Sequence, residues 1–240
     1  MEVHKHPHHV TNKKKWPEYV LEFLMLFLAV FLGFLAENVR EQSADRHREK
    51  EYMQSMIEDL AQDTLEINRI SFQNITATKN IDSLLELLQL PLSNNIGNRK
   101  KLYDVATAAY GAEAVVFSQR TLSQLKNAGG LRLVRKKEVA DLISVYDSKI
   151  QYLLLVTKSL DETTTAVNTV GNEIFDLNYF RQHHDSDWVM MSYDPKTLKK
   201  FSNFVLVVRH IFDYYEDHLQ EEKKVAIRLA ALIRKHYQLQ

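Results

Sequence analysis

Cysteine is absent from this 240-residue chain, which excludes both a disulfide framework and a thiolate metal site. Glycine (6) and proline (4) are scarce, so little is available to punctuate short strands and tight turns. That scarcity favours a few long helices. An excess of charge of either sign is missing too, because 31 basic and 31 acidic residues cancel. A nucleic-acid binder usually carries a basic surplus, so the balance argues against that class of partner. Recognisable catalytic patterns are lacking as well. There is no glycine-rich phosphate loop, no His-Glu-x-x-His and no Gly-x-Ser-x-Gly elbow. None of the 10 histidines follows a glutamate by three positions, the spacing that builds di-iron centres in helical bundles. The expectation is a non-enzymatic protein with no cofactor and no metal.

What is present begins with a long apolar run. Phe23 to Ala36 reads FLMLFLAVFLGFLA, and with Trp16, Tyr19, Val20, Leu21 and Val39 the stretch covers residues 16–39. At about 1.5 Å per residue such a helix crosses the ~30 Å hydrocarbon core of a bilayer. Trp16 and Tyr19 stand where interfacial aromatics belong, just after Lys13, Lys14 and Lys15. A cleaved signal peptide would need small residues at its processing site, and Phe34-Leu35-Ala36 puts a bulky residue three positions back. The segment therefore reads as an uncleaved transmembrane anchor, with residues 1–15 as a basic, His-rich cytoplasmic tail and 40–240 as a soluble domain. The basic residues flanking the span tie in number. The cluster against Trp16 favours a cytoplasmic N-terminus, and with it a bundle domain in the periplasm of a bacterial inner membrane.

Polar and small residues of the span are its candidate functional positions. Glu22 lies one helical turn after Glu18, and a carboxyl at membrane depth is a functional-site candidate by default. Headgroup-level placement is the plainer reading. Asn38 stands at the exit. Ala29 and Gly33 form a small-xxx-small pair of the kind that lets two helices approach closely.

Beyond the span, apolar residues recur every three to four positions, the mark of helices packed side by side. One stripe runs Met53, Ile57, Leu60, Thr64, Ile67, Ser71, Asn74, Thr78, Ile81, Leu85, Leu88. A second runs Val139, Ile143, Tyr146, Ile150, Leu153, Thr157, Leu160, Thr164, Val167, Gly171, Ile174. The third runs Phe201, Phe204, Val208, Phe212, Tyr215, Leu219, Glu222, Ala226, Leu229, Ile233. Asp194-Pro195 supplies its N-cap and first-turn proline. Two shorter helices, Arg99–Tyr110 and Ser118–Asn127, the latter stopped at Gly129-Gly130, would form a broken fourth wall. The fold expected is all-α: one N-terminal transmembrane helix, then an elongated antiparallel up-down bundle of three long helices plus a broken fourth. The polar stripe members Ser71, Asn74, Thr78, Thr157 and Thr164 form a hydrogen-bonded layer or line a ligand pocket.

Several clusters compete for a role. His4, His6, His8 and His9, and separately His183, His184, Asp185 and Asp187, have metal-ligand chemistry but no scaffold to converge on one ion. Trp188, Val189, Met190 and Met191 make an apolar cluster before the last helix, a candidate contact for a partner. Arg132, Arg135, Lys136 and Lys137, with Arg234, Lys235 and His236, are candidates for contact with lipid headgroups; favourable charge at a helix end is the alternative.

The stretch Arg120–Asp147, RTLSQLKNAGGLRLVRKKEVADLISVYD, resembles the central signature of an uncharacterised family of single-pass membrane proteins from Bacteroidota. The matching residues are Leu125, Lys126, Gly129, Leu131, Leu133, Val134 and Tyr146. Glu22, Ala29, Gly33 and Asn38 in the anchor are similar too, as is the acidic helix after it, from Tyr52-Met53 through Ile57-Glu58-Asp59-Leu60 to Asp63. The His-rich tail and Gly130 depart from the pattern. The resemblance implies a bacterial inner-membrane location and brings no assigned activity. The reading with most support is a membrane-anchored scaffold that contacts the lipid bilayer and binds a protein partner or itself. The alternatives are a sensor-like domain with a small ligand between its helices, or an accessory subunit of an ion-driven complex that uses Glu22.

Overall fold

The computed structural model describes residues 15–111, 113–127, 129–181 and 188–239. These residues are helical almost throughout and contain no β-strand, only an isolated antiparallel bridge between Phe175 and Met190. The helices are α1 (Trp16–Leu87), α2 (Ile96–Ala106), α3 (Arg120–Asn127), α4 (Lys137–Ile174), α5 (Asn178–Arg181) and α6 (Pro195–Tyr237), with 3-10 turns at Thr107–Ala109 and Gly130–Arg132. The chain divides into two units, residues 1–49 and 50–240, and α1 contributes to both.

In the first unit the helix starts at Trp16, with Pro17 in its first turn, where a missing N–H costs nothing. The Lys15 N–H donates to the Glu18 carboxylate at 3.2 Å. Every side chain from Lys15 to Ser43 is exposed. Phe23, Phe27 and Phe31 stack at i, i+4 spacing, with ring centroids 6.4 and 6.0 Å apart. This is one helix long and apolar enough to cross a membrane, and none of its apolar window is covered by protein.

In the second unit, side-chain pairs set the helix directions. Asp82 pairs with Arg209, Asn74 with Glu216 and Ser71 with Gln220, so α1 and α6 run antiparallel. Lys149 with Glu221 and Glu138 with His236 show α4 and α6 antiparallel as well, and these two helices pack along each other more extensively than any other pair. The α2–α3 stretch returns against α1, meeting it through Glu113–Arg69, Ser118–Asp63 and Thr121–Asp59.

The three stripes lie on the buried faces, although on α1 Thr64, Thr78, Leu85 and Leu88 are only partly buried and Leu84 takes the place of Leu85. On α4 every stripe residue except Thr157 is buried, and on α6 only Phe204 gives way, to its neighbour Val205. The core forms two clusters. One gathers Met53, Ile67, Tyr146, Tyr215 and Ile233; the other gathers Ile81, Tyr103, Phe175, Val205 and Phe212. Along α1 they are separated by Ser71 and Asn74, which reach Gln220 and Glu216. Thr157 and Thr164 donate to carbonyls of their own helix, those of Leu153 and Asp161. Ser71, Asn74, Thr157 and Thr164 are thus satisfied from within the bundle. Each large apolar side chain so buried contributes about 1.5–3 kcal/mol against the chain's ordering entropy.

Helix ends follow local chemistry. Asp194 caps α6, accepting from Thr197 N at 2.9 Å and Thr197 Oγ1 at 2.8 Å, and Pro195 takes the first turn. Those two bonds hold the Asp194 carboxyl below its ordinary range. Gly129 sits at φ +67, left-handed backbone that suits glycine, and a β-carbon on Gly130 would lie 3.0 Å from the Leu125 α-carbon. The doubled glycine lets the chain leave α3 and pack back on it.

Candidate functional site

The chemistry that stands out is carboxylate buried in the bundle. Asp59 and Asp63 are one turn apart on α1 and face inward, against the unhelical strap 113–119 and the start of α3. The strap's backbone has no helix to satisfy it, so side chains must. Asp63 accepts from Ser118 N at 2.7 Å and from the Tyr146 hydroxyl at 2.5 Å. Asp59 accepts from Thr121 N and from Arg120 Nη2, both at 3.1 Å, and so caps α3 from a neighbouring helix. Tyr215, on α6, accepts from Val115 N at 3.1 Å. Two helices therefore hold the strap by named hydrogen bonds.

Glu222 completes the group and is different in kind. It is 0% exposed, and neither carboxylate oxygen has a hydrogen-bond partner. Burial pushes its carboxyl up to about 8; Lys149 pulls it partly back, and the charge of Asp63 raises it further. Asp63 is itself raised by burial, in spite of its two donors. The Tyr146 hydroxyl is pushed far up by burial and by the Asp63 charge. At neutral pH the arrangement therefore holds Glu222 as the neutral acid, with Asp63 bonded to Tyr146. Glu222 and Asp63 are both 0% exposed, so solvent does little to screen their charges from one another.

Outside this core, α4 and α6 share an open trough. Ser144, Ser148, Lys149, Tyr152 and His218 line a hollow of about 430 Å³. Val156, Ser159, Val207, His210 and Tyr214 line another of about 390 Å³ next to it. His218 packs edge-on against Tyr214 and Tyr152, with centroids 4.3 and 5.0 Å away. Val145, Tyr152, Val207 and Tyr214 remain exposed along it, and Leu155 stands exposed one turn after Tyr152. This stripe is an uncovered apolar face between two long helices.

The residues expected from sequence fall as follows. Glu22, Ala29, Gly33 and Asn38 are all exposed on α1; Asn38 accepts from Gln42 at 3.2 Å, and nothing lies within 4 Å of a β-carbon built on Gly33. Trp188 and Met190 are turned inward, where Trp188 stacks beside Tyr103 and Tyr179, while Val189 and Met191 stay on the surface. The inward turn has a cause. Tyr103 Oη donates to Val189 O at 2.8 Å, and Arg99 Nε donates to Trp188 O at 2.9 Å, drawing this segment onto α2. Arg132, Arg135, Lys136 and Lys137 are exposed together. His4, His6, His8 and His9, and His183, His184, Asp185 and Asp187, lie outside the described residues. Among the described residues no three metal-ligating side chains converge. The carboxyl cluster and the tyrosine–histidine trough were not anticipated as sites. The only signal was Glu222, an acid on an apolar stripe.

The described residues are those of an all-α protein with a helix long and apolar enough to cross a membrane. Comparison with family models, with curated proteins and with solved structures returns no match.

Proposed function

We propose that the protein is a membrane-anchored, non-enzymatic scaffold, held by residues 16–39 and pairing with a second copy of itself through the α4–α6 face. The observation that carries the anchoring is a fully exposed apolar helix, which lipid would cover. The resemblance to single-pass Bacteroidota proteins supports an inner-membrane location, and the lysine cluster before Trp16 supports a tail in the cytoplasm with the bundle outside. Three features favour a second copy as the occupant. The anchors confine all copies to one plane, which raises their effective concentration. The chain's formal net charge is zero, so copies do not repel. Gly33 faces open space, which allows two anchors to approach closely.

The cysteine-free sequence makes the test clean. Full-length Leu155→Cys and Val207→Cys variants, oxidised in native membranes, should form copy-to-copy disulfides, while cysteine at exposed Asp161, on another face of α4, should not. Gly33→Leu should weaken the crosslink without changing the melting of the bundle. Monomers throughout would overturn self-association. Release from membranes by alkaline wash would overturn the anchor.

A further inference from the structure

The end of the bundle where α4 begins and α6 finishes is densely cationic. Arg132 comes from the 3-10 turn, Arg135, Lys136 and Lys137 from the start of α4, and Arg234 and Lys235 from the last turn of α6; all are exposed. His236 Nε2 lies 3.7 Å from Glu138, which brings the two helix ends together. Glu138 and Asp141 are the acids closest in sequence to the α4 cations and offset only part of the charge. Among the described residues Arg132, Lys136, Lys137, Arg234 and Lys235 have no ion pair, whereas Arg135 has a partner.

Folding accounts for only half of this patch. Lysine and arginine in the last turn of α6 suit the negative end of its dipole. The cations at the start of α4 face the positive end of theirs, where acids would stabilise the helix. Lys136 occupies the cap position and makes no side-chain cap bond. Lys136 and Lys137, without an ion pair among the described residues, work against the helix there, which points to an anion outside the fold.

The connectivity says which anion. Ser71–Gln220, Lys149–Glu221 and Glu138–His236 set the register of α1 and α4 on α6, which puts Met53 and Met56 level with the last turn of α6, so α1 enters the bundle at this same end. Only residues 40–49 separate that entrance from Val39, a tether of about 35 Å even if fully extended. Resting on the reading of residues 16–39 as a span, we propose that this cationic end docks on anionic phospholipid headgroups of the bilayer that holds the anchor. Each lysine or arginine close to such a surface strengthens the contact roughly fivefold, and loss of three weakens it on the order of a hundredfold.

The test compares full-length protein in nanodiscs of phosphatidylcholine with protein in discs containing phosphatidylglycerol, read by amide hydrogen exchange. Exchange over residues 131–138 and 232–237 should slow in the anionic discs and recover at high salt, as screening requires. The slowing should vanish in Arg132→Gln/Lys136→Gln/Lys137→Gln, a triple change at exposed sites whose melting should match the wild type. Inorganic phosphate added to the neutral discs should not reproduce it. Equal exchange in the two discs, or slowing that survives the triple variant, would overturn the headgroup contact and leave the anchor standing. Failure of the chain to enter either disc would overturn the anchor, and the docking with it.

Discussion

Glu222→Gln tests the buried carboxyl most directly. In the native bundle its carboxyl titrates at about 8 against an ordinary 4.5. The folded state therefore holds this proton more tightly than the unfolded chain does. Below pH 4.5 both states are protonated and the group is neutral to stability. Between 4.5 and 8 unfolding releases the proton, so stability falls as pH rises, and above 8 the full cost is present. At about 1.36 kcal/mol per unit, the cost is roughly 3 kcal/mol at pH 7 and roughly 5 above pH 8, upper values because partial opening admits water. Asp63 on α1 adds repulsion and Lys149 on α4 relieves some of it. Glutamine has nearly the same shape and does not titrate. The variant should match wild type near pH 4.5 and exceed it by about 3 kcal/mol at pH 7. Urea unfolding of the full chain in mild detergent provides the measurement, followed by Trp188 fluorescence in a Trp16→Phe background. Curves that stay parallel from pH 5 to 8 would refute the reasoning, as would a glutamine variant less stable than wild type at pH 7.

Asp63→Ala leaves Ser118 N–H and the Tyr146 hydroxyl without acceptors. It should cost about 2–4 kcal/mol, and the Ser118 amide should exchange much faster, while Asp104→Ala, at an exposed site, should do neither. A β-carbon on Gly171 would lie 2.4 Å from the Tyr110 hydroxyl, which is itself buried without a partner. Gly171→Ala should therefore destabilise by about 1–3 kcal/mol. Tyr110→Phe should be neutral or stabilising and should recover part of that loss in the double variant, as thermal melts would show. Glu22→Gln should leave membrane retention and the Leu155→Cys crosslink unchanged. Loss of either would favour a working carboxyl in the span.

Periodicity alone located the core because a helix repeats every 3.6 residues and water sorts its faces. Val139 through Ile174 and Phe201 through Ile233 could be placed on buried faces from spacing, and Asp194-Pro195 and Gly129-Gly130 marked their boundaries through backbone chemistry that acts within a few residues. The apolar stretch up to Val39 was equally legible as a helix long and apolar enough to cross a membrane, since length and composition are local properties. Contacts between distant segments were another matter. Nothing within one helix says that Asp59 and Asp63 satisfy the backbone of 118–121, or that Arg99 and Tyr103 draw Trp188 and Met190 inward. Glu222 carried a trace of its role, as an acid on a greasy stripe, but its missing partners are a property of three helices at one level. Partnership across the bundle depends on register and direction, which are settled only when the helices pack; local spacing holds no record of them.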